Sequence, residues 1–218
     1  MAFGTLVHGA LQAAGEAAKR GEAMDSEVLM RRFEADLAAM RDLTENERRL
    51  LAEQGEFVLP RWWAANGEKL AAKDAAVEKW FNYEKDGVRL RGKVDRIEGG
   101  GEGRTVVDFK TGKAGGAKSE KTYKAQLQLY IYKLLVESEP GGPVVGGRVE
   151  FVAADGDGRV SKALELEFGR EEEELVWQLV GVIWRRIMAM DFGEALEAAE
   201  TGAASFRQFL ENKIKAFM

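Results

Sequence analysis

Apolar positions recur at helical spacing through the first third of the chain. Thr5 to Arg20, Ser26 to Met40 and Glu45 to Gln54 carry that period, and the alanine- and lysine-rich run Trp62 to Glu78 reads as helical too. The pattern then changes. Val88 to Ile97 and Thr105 to Lys110 are rich in β-branched residues and flank the glycine-rich loop Gly99 to Gly103, which predicts a hairpin. Lys121 to Glu137 returns to the helical period. Beyond the Gly and Pro punctuation of residues 140–147, Arg148 to Ala154 and Arg159 to Phe168 alternate as strands around a turn at Asp155 to Gly158. The helix Glu171 to Met190 opens with four glutamates that complement its N-terminal dipole, and Ser205 to Phe217 forms a terminal helix. This order predicts an α/β fold, a central mixed sheet flanked by helices with an N-terminal helical region. As one domain, residues 1–80 are mainly helical, 81–168 form the sheet core and 169–218 the C-terminal helices.

The first hairpin carries the chemistry. If its pairing is symmetric about the loop, Asp95 lies opposite Asp108 with Cβ atoms roughly 4.5–5.5 Å apart, and Lys110, two residues on, points from the same face. Two facing carboxylates repel and call for positive charge between them. Oxygen ligands from two aspartates suit Mg²⁺ or Mn²⁺, ions that also take phosphate oxygens and acidify a bound water. A lysine beside them stabilises charge developing on phosphorus oxygens. A bare D-x-K is equally a solvated pair on an edge strand, so the wider pattern has to decide.

That pattern is GTLVH at His8, GKVDRI at Asp95, DFKTG at Asp108 and Lys110, and QLQLY at Gln126 and Tyr130. Four motifs in this order resemble the RecB-like branch of the PD-(D/E)XK nuclease superfamily. The resemblance implies a restriction-endonuclease-like core and a DNA-cleaving, metal-dependent nuclease of repair or recombination. It implies His8, Asp95 and Asp108 as metal ligands, the Phe109 carbonyl as a further one, and Lys110 as the catalytic lysine. It also implies Gln126 and Tyr130 as contacts to substrate or site. On the residues alone, the stripe Tyr123, Gln126, Tyr130, Lys133 is either the solvent face of its helix or the lining of a site, and a lone His8 on an alanine-rich helix reads as structural. Glu78, just upstream of the hairpin, is a metal-proximal or surface carboxylate. Trp62, Trp63, Trp80, Trp177 and Trp184 offer a base-stacking platform or core packing.

Composition narrows the setting. The chain has 218 residues, 45% of them hydrophobic, and a formal net charge of −5, yet Arg104 to Lys133 holds seven basic and two acidic residues, as a phosphate backbone would require. There is no cysteine, so no thiolate-held iron–sulfur cluster or zinc is expected. No apolar run spans a bilayer and the first residues carry no secretory pattern, which predicts a cytoplasmic protein. No G-x-x-x-x-G-K-[ST] segment is present, so any helicase motor lies in a partner or in another part of a longer polypeptide. The competing expectation is a non-cleaving module that holds nucleic acid or a protein partner on the same fold.

Overall fold

The computed structural model describes residues 2–22, 24–70, 75–100, 102–191 and 202–218. Helices α1 (Ala2–Lys19), α2 (Ser26–Ala39) and α3 (Glu45–Leu70) precede strands β1 (Ala76–Lys85), β2 (Val88–Gly100) and β3 (Gly103–Lys110). Helix α4 (Glu120–Glu137) leads to β4 (Val144–Phe151) and β5 (Leu164–Leu166), and the chain closes with α5 (Arg170–Met188) and α6 (Phe206–Phe217).

The helix starts follow local chemistry. Asp25 caps α2 by accepting from the Val28 N–H at 2.8 Å, and Thr44 and Glu47 form a reciprocal capping box at the start of α3. Ser119 and Ser205 cap α4 and α6. The sequence reading stops one helix at Gln54 and starts another at Trp62, but α3 runs unbroken through Pro60. A proline inside a helix forfeits one hydrogen bond, and buried Val58, Leu59 and Trp62 hold this one in place. The same reading carries helix on to Glu78. The helix instead ends at Leu70, residues 71–74 lie outside the described part, and Ala76–Lys85 is a strand.

The sheet order is β1-β2-β3-β4-β5, antiparallel except for β3 and β4, which are joined by the α4 crossover and run parallel. The β2–β3 register, Arg96 with Val107 and Glu98 with Thr105, carries on to set Asp95 level with Asp108. The turn is tighter than the loop read from sequence, since pairing reaches Gly100 with Gly103. Gly99 sits at φ +83°, and a Cβ there would lie 2.5 Å from the Gly103 carbonyl oxygen, so no side chain fits. The second hairpin is offset from the sequence reading. β4 begins at Val144, β5 is three residues long, and Ala154 pairs with Val160 across the turn.

Helices α1 to α3 bury Leu6, Leu11, Phe33 and Trp62 with Val107, Phe109 and Val152 on one face of the sheet. Helix α4 covers the other face, where Leu129, Tyr132 and Leu135 meet Val94, Ile97 and Val106. Beyond it α5 and α6 pack on α4 through Tyr123, Tyr130, Val176, Leu179, Phe209 and Leu210. The result is a five-stranded mixed sheet between helical layers. Among the described residues, no helix is long and apolar enough to cross a membrane.

Candidate active site

The site forms where α1, the β1–β2–β3 ladder and α4 converge. Buried Arg96 fixes the strand beneath it. Its guanidinium donates to the Lys69 carbonyl at 2.8 Å, in the last turn of α3, and to Glu98 at 2.8 Å. Arg148 ties Glu98 to Glu150, so β2 and β4 are cross-braced on the α3 side. The neighbouring residue, Asp95, faces the other way.

Asp95 accepts the Phe109 N–H at 2.9 Å through Oδ2 and lies 3.3 Å from the Tyr132 hydroxyl through Oδ1. Asp108 is 1% exposed and its Oδ1 lies 3.4 Å from the same hydroxyl. One hydroxyl proton cannot serve both carboxylates at once. Lys110 Nζ donates to Asp108 Oδ1 at 3.1 Å and to Gln128 Oε1 at 2.7 Å, while Asp108 Oδ2, 2.9 Å from the ammonium, lies outside hydrogen-bond geometry. On the opposite side, His8 Nε2 is 3.0 Å from the Phe109 carbonyl oxygen, and its Nδ1 is 3.6 Å from Asp95 and 3.7 Å from Glu78. Glu78 lies on β1 between Val77 and Lys79, whose partners Arg96 and Val94 flank Asp95; it has φ +50° and pairs its buried carboxylate with Lys93. A left-handed non-glycine residue within a strand is strained, and such strain gathers at functional sites.

Electrostatics match this crowding. Burial pushes the Asp108 carboxyl up to about 6 against the pull of Lys110, and burial raises Asp95 despite the nearby His8 and the Phe109 N–H. The Glu78 carboxylate holds His8 above its ordinary value, with burial opposing and Asp95 adding. Burial alone would raise Glu78, but His8 and Lys93 outweigh it and hold its carboxyl low. Burial, then Asp95 and Asp108, push the Tyr132 phenol far above its usual range.

The metal-free protein should therefore lose stability as the pH rises. The Asp108 carboxyl titrates near 3.8 when unfolded and near 6 when folded, so the folded state binds that proton more tightly. Its contribution is complete below the lower value and gone above the higher one. At about 1.4 kcal/mol per pH unit between the two, it amounts to on the order of 3 kcal/mol. His8, also raised, acts in the same sense at higher pH, whereas the lowered Glu78 acts oppositely and only in acid. In chelator, the melting temperature of wild type should fall between about pH 4 and pH 7, and Asp108→Asn should flatten that fall. An equally steep fall in the variant would contradict the assignment.

The arrangement fits a divalent cation. Asp108 Oδ2 is buried without a hydrogen-bond partner, and an imidazole nitrogen lies 3.0 Å from a backbone carbonyl oxygen. His8, Glu78 and Asp95 each present a ligand atom, all within 4.8 Å of one another. Asp108 lies next to this group, sharing the Tyr132 hydroxyl with Asp95, and the Phe109 carbonyl faces the other ring nitrogen of His8. Two clefts open on the site. One of about 430 Å³ is lined by Thr5, His8, Gln12, Glu78, Lys93 and Asp95, and another of about 500 Å³ by Lys110, Gly115, Lys121, Thr122, Lys124 and Gln128.

His8, Asp95, Asp108, Phe109 and Lys110 lie together at this point of the sheet. Gln126 and Tyr130 are not. Tyr130 is 2% exposed, stacks on Phe206 at 5.4 Å and accepts the Gly169 N–H at 3.0 Å, which makes it the anchor of α5 and α6. Gln126 lies on the same stripe one turn earlier. The polar pair on the sheet-facing stripe is Gln128 and Tyr132, joined by a 3.0 Å hydrogen bond. The run QLQLYIY holds two overlapping Q-x-x-x-Y frames, and the stripe Ala125, Leu129, Tyr132 and Val136 marks the one that faces the sheet. Of the basic run, Lys113, Lys118, Lys121 and Lys124 are exposed, whereas Arg104 is buried and Lys133 is paired with Glu137 and Glu173 behind the site.

Residues 1–210 match the PD-(D/E)XK nuclease superfamily. Among solved structures, the chain is similar to the crystal structure of SSO0001 at 14% identity, over 82% of this chain and 93% of that one. With a TM-score of 0.37, that likeness is too loose to carry an argument. No match was found among curated proteins.

Proposed function

The chain belongs to the PD-(D/E)XK nuclease superfamily, and from that premise we propose that it is a RecB-like nuclease that hydrolyses DNA phosphodiester bonds with Mg²⁺ or Mn²⁺. The observation that carries this reading is the meeting of His8, Asp95, Asp108 and Lys110 between two open clefts. Asp95, Asp108, His8 and the Phe109 carbonyl would hold the ion, with Glu78 beside them. When bound, the ion supplies charge that acidifies a water and polarises the phosphodiester. The imidazole ligand favours Mn²⁺ at least as well as Mg²⁺.

The chain's own groups do the rest. Lys110 spends two of its three N–H donors on Asp108 and Gln128, which aims the third at the cleft, toward a nucleophilic water or a phosphate oxygen. Gln128 accepts from Lys110 and donates to Tyr132, so one chain of hydrogen bonds runs from the ammonium to the carboxylates. In this reading Gln128 and Tyr132 take the positioning role that the motif spacing assigns to Gln126 and Tyr130. The exposed lysines 113, 118, 121 and 124 guide the phosphate backbone into the larger cleft. The whole chain acts as one nuclease domain in a cytoplasmic setting, in DNA repair or recombination, alongside a helicase motor supplied in trans or by a longer polypeptide.

The reading is tested by offering linear and circular single strands, linear and nicked duplexes, and RNA of equal length in Mn²⁺. DNA should be cleaved; cutting confined to linear molecules would mark an exonuclease, and cutting of circles an endonuclease. Preferential cleavage of RNA would remove DNA as the substrate, and no cleavage of any of them would remove the nuclease reading.

A further inference from the structure

Beyond the metal cleft, the outer face of the β1–β2 hairpin is bare. Three register pairs line it, Trp80 with Lys93, Asn82 with Arg91, and Glu84 with Arg89, and all six residues are exposed. The other face of the same strands is covered, since Phe81 is buried and Tyr83 packs against Trp177 of α5 at 5.8 Å. Trp80 is 55% exposed, while Trp62 is 1% exposed in the core. A large aromatic left in water on a sheet face, beside three cations and one carboxylate, is not explained by packing. The Arg91 guanidinium lies 4.7 Å from the Trp80 ring centroid and steadies it, and Lys93 reaches back to Glu78 at the rim of the metal cleft. The cations of one strand recur every second residue, about 6.8 Å apart, as a row along one side of the face.

We propose that this face is a binding platform for single-stranded nucleic acid, with Trp80 stacking on a base and Arg91, Arg89 and Lys93 following the backbone into the metal cleft. The proposal rests on the nuclease reading for its direction, toward the scissile phosphate, but not for the binding itself. A flat aromatic platform beside a row of cations suits splayed bases, which a duplex does not present.

The test is fluorescence anisotropy of a labelled single strand and its duplex, in Ca²⁺ or chelator, with wild type, Trp80→Ala, Trp80→Phe and Arg91→Ala. Because both positions are exposed, melting temperatures should stay at the wild-type value. Trp80→Ala should weaken single-strand binding at least about fivefold, and Trp80→Phe should recover much of it. Arg91→Ala should lower the slope of log affinity against log salt by about 0.7. Duplex binding should change little. Unchanged single-strand affinity in both alanine variants would overturn the platform, as would a larger effect on duplex. A dimer that becomes a monomer in Trp80→Ala would overturn it too, by making the face an interface between copies. If wild type never cleaves yet binds through Trp80, the platform stands and the nuclease reading falls; if it cleaves long strands with no contribution from Trp80 or Arg91, the reverse holds.

Discussion

Replacing Lys110 by alanine should reduce cleavage by on the order of 10²–10³-fold, the loss typical of one electrostatic stabiliser. The ammonium touches Asp108 and Gln128 and no other side chain of the metal set, so its removal deletes charge and a donor without deleting a ligand. Metal binding should survive, and DNA affinity measured in Ca²⁺ should change little. The substitution also strips Asp108 of the cation that lowers its carboxyl, so in chelator that carboxyl should titrate higher than in wild type. Wild-type rates in Lys110→Ala would remove the lysine from the chemistry, while loss of metal binding would make it part of the ion's own shell.

Asp95→Asn should have the larger effect. The asparagine oxygen can still accept the Phe109 N–H that Asp95 takes at 2.9 Å, so the fold is kept and the charge is lost. Neutral asparagine beside His8 and Glu78 is a poor ligand for a hard divalent ion, and affinity should fall by about 10²-fold or more, at least what the loss of an outer partner costs. Wild type at a metal concentration of a hundred times its Kd gains about 2.7 kcal/mol from binding, a clear rise in melting temperature. At the same metal concentration that gain should fall to about 0.4 kcal/mol or less in Asp95→Asn, with cleavage below the level of Lys110→Ala. A variant that keeps the full metal-dependent shift would move the ion away from Asp95.

How much was legible in the sequence follows from which contacts are local. The Asp95 to Asp108 register was readable because a glycine turn and period-two alternation determine a hairpin from within, and the found pairing carries on to that level. The α4 frame was not, because two Q-x-x-x-Y frames overlap in one helix and only the face that packs on the sheet distinguishes them. Gln126 and Tyr130 sit on the stripe toward α5 and α6, a partner that lies some forty residues on and leaves no local mark. Strand β1 was missed because Ala75 to Glu78 continues an alanine- and lysine-rich run, and its pairing with β2 overrides that propensity. From sequence alone Glu78 is therefore a metal-proximal or a surface carboxylate alike, although β1 carries it to the level of Asp95. Of the five tryptophans, burial alone separates Trp80 from Trp62, and burial is a property of the fold.

The central claim is a divalent-metal site that cuts DNA, and one time course tests it most directly. Purified wild-type protein is mixed with end-labelled linear DNA in Mn²⁺, quenched with excess chelator midway, and then resupplied with Mn²⁺. The account predicts cleavage that stops on chelation and resumes on resupply, with Asp95→Asn inactive throughout. Cleavage that continues at full rate in chelator, or DNA bound but never cut with Mn²⁺ or Mg²⁺, would contradict it.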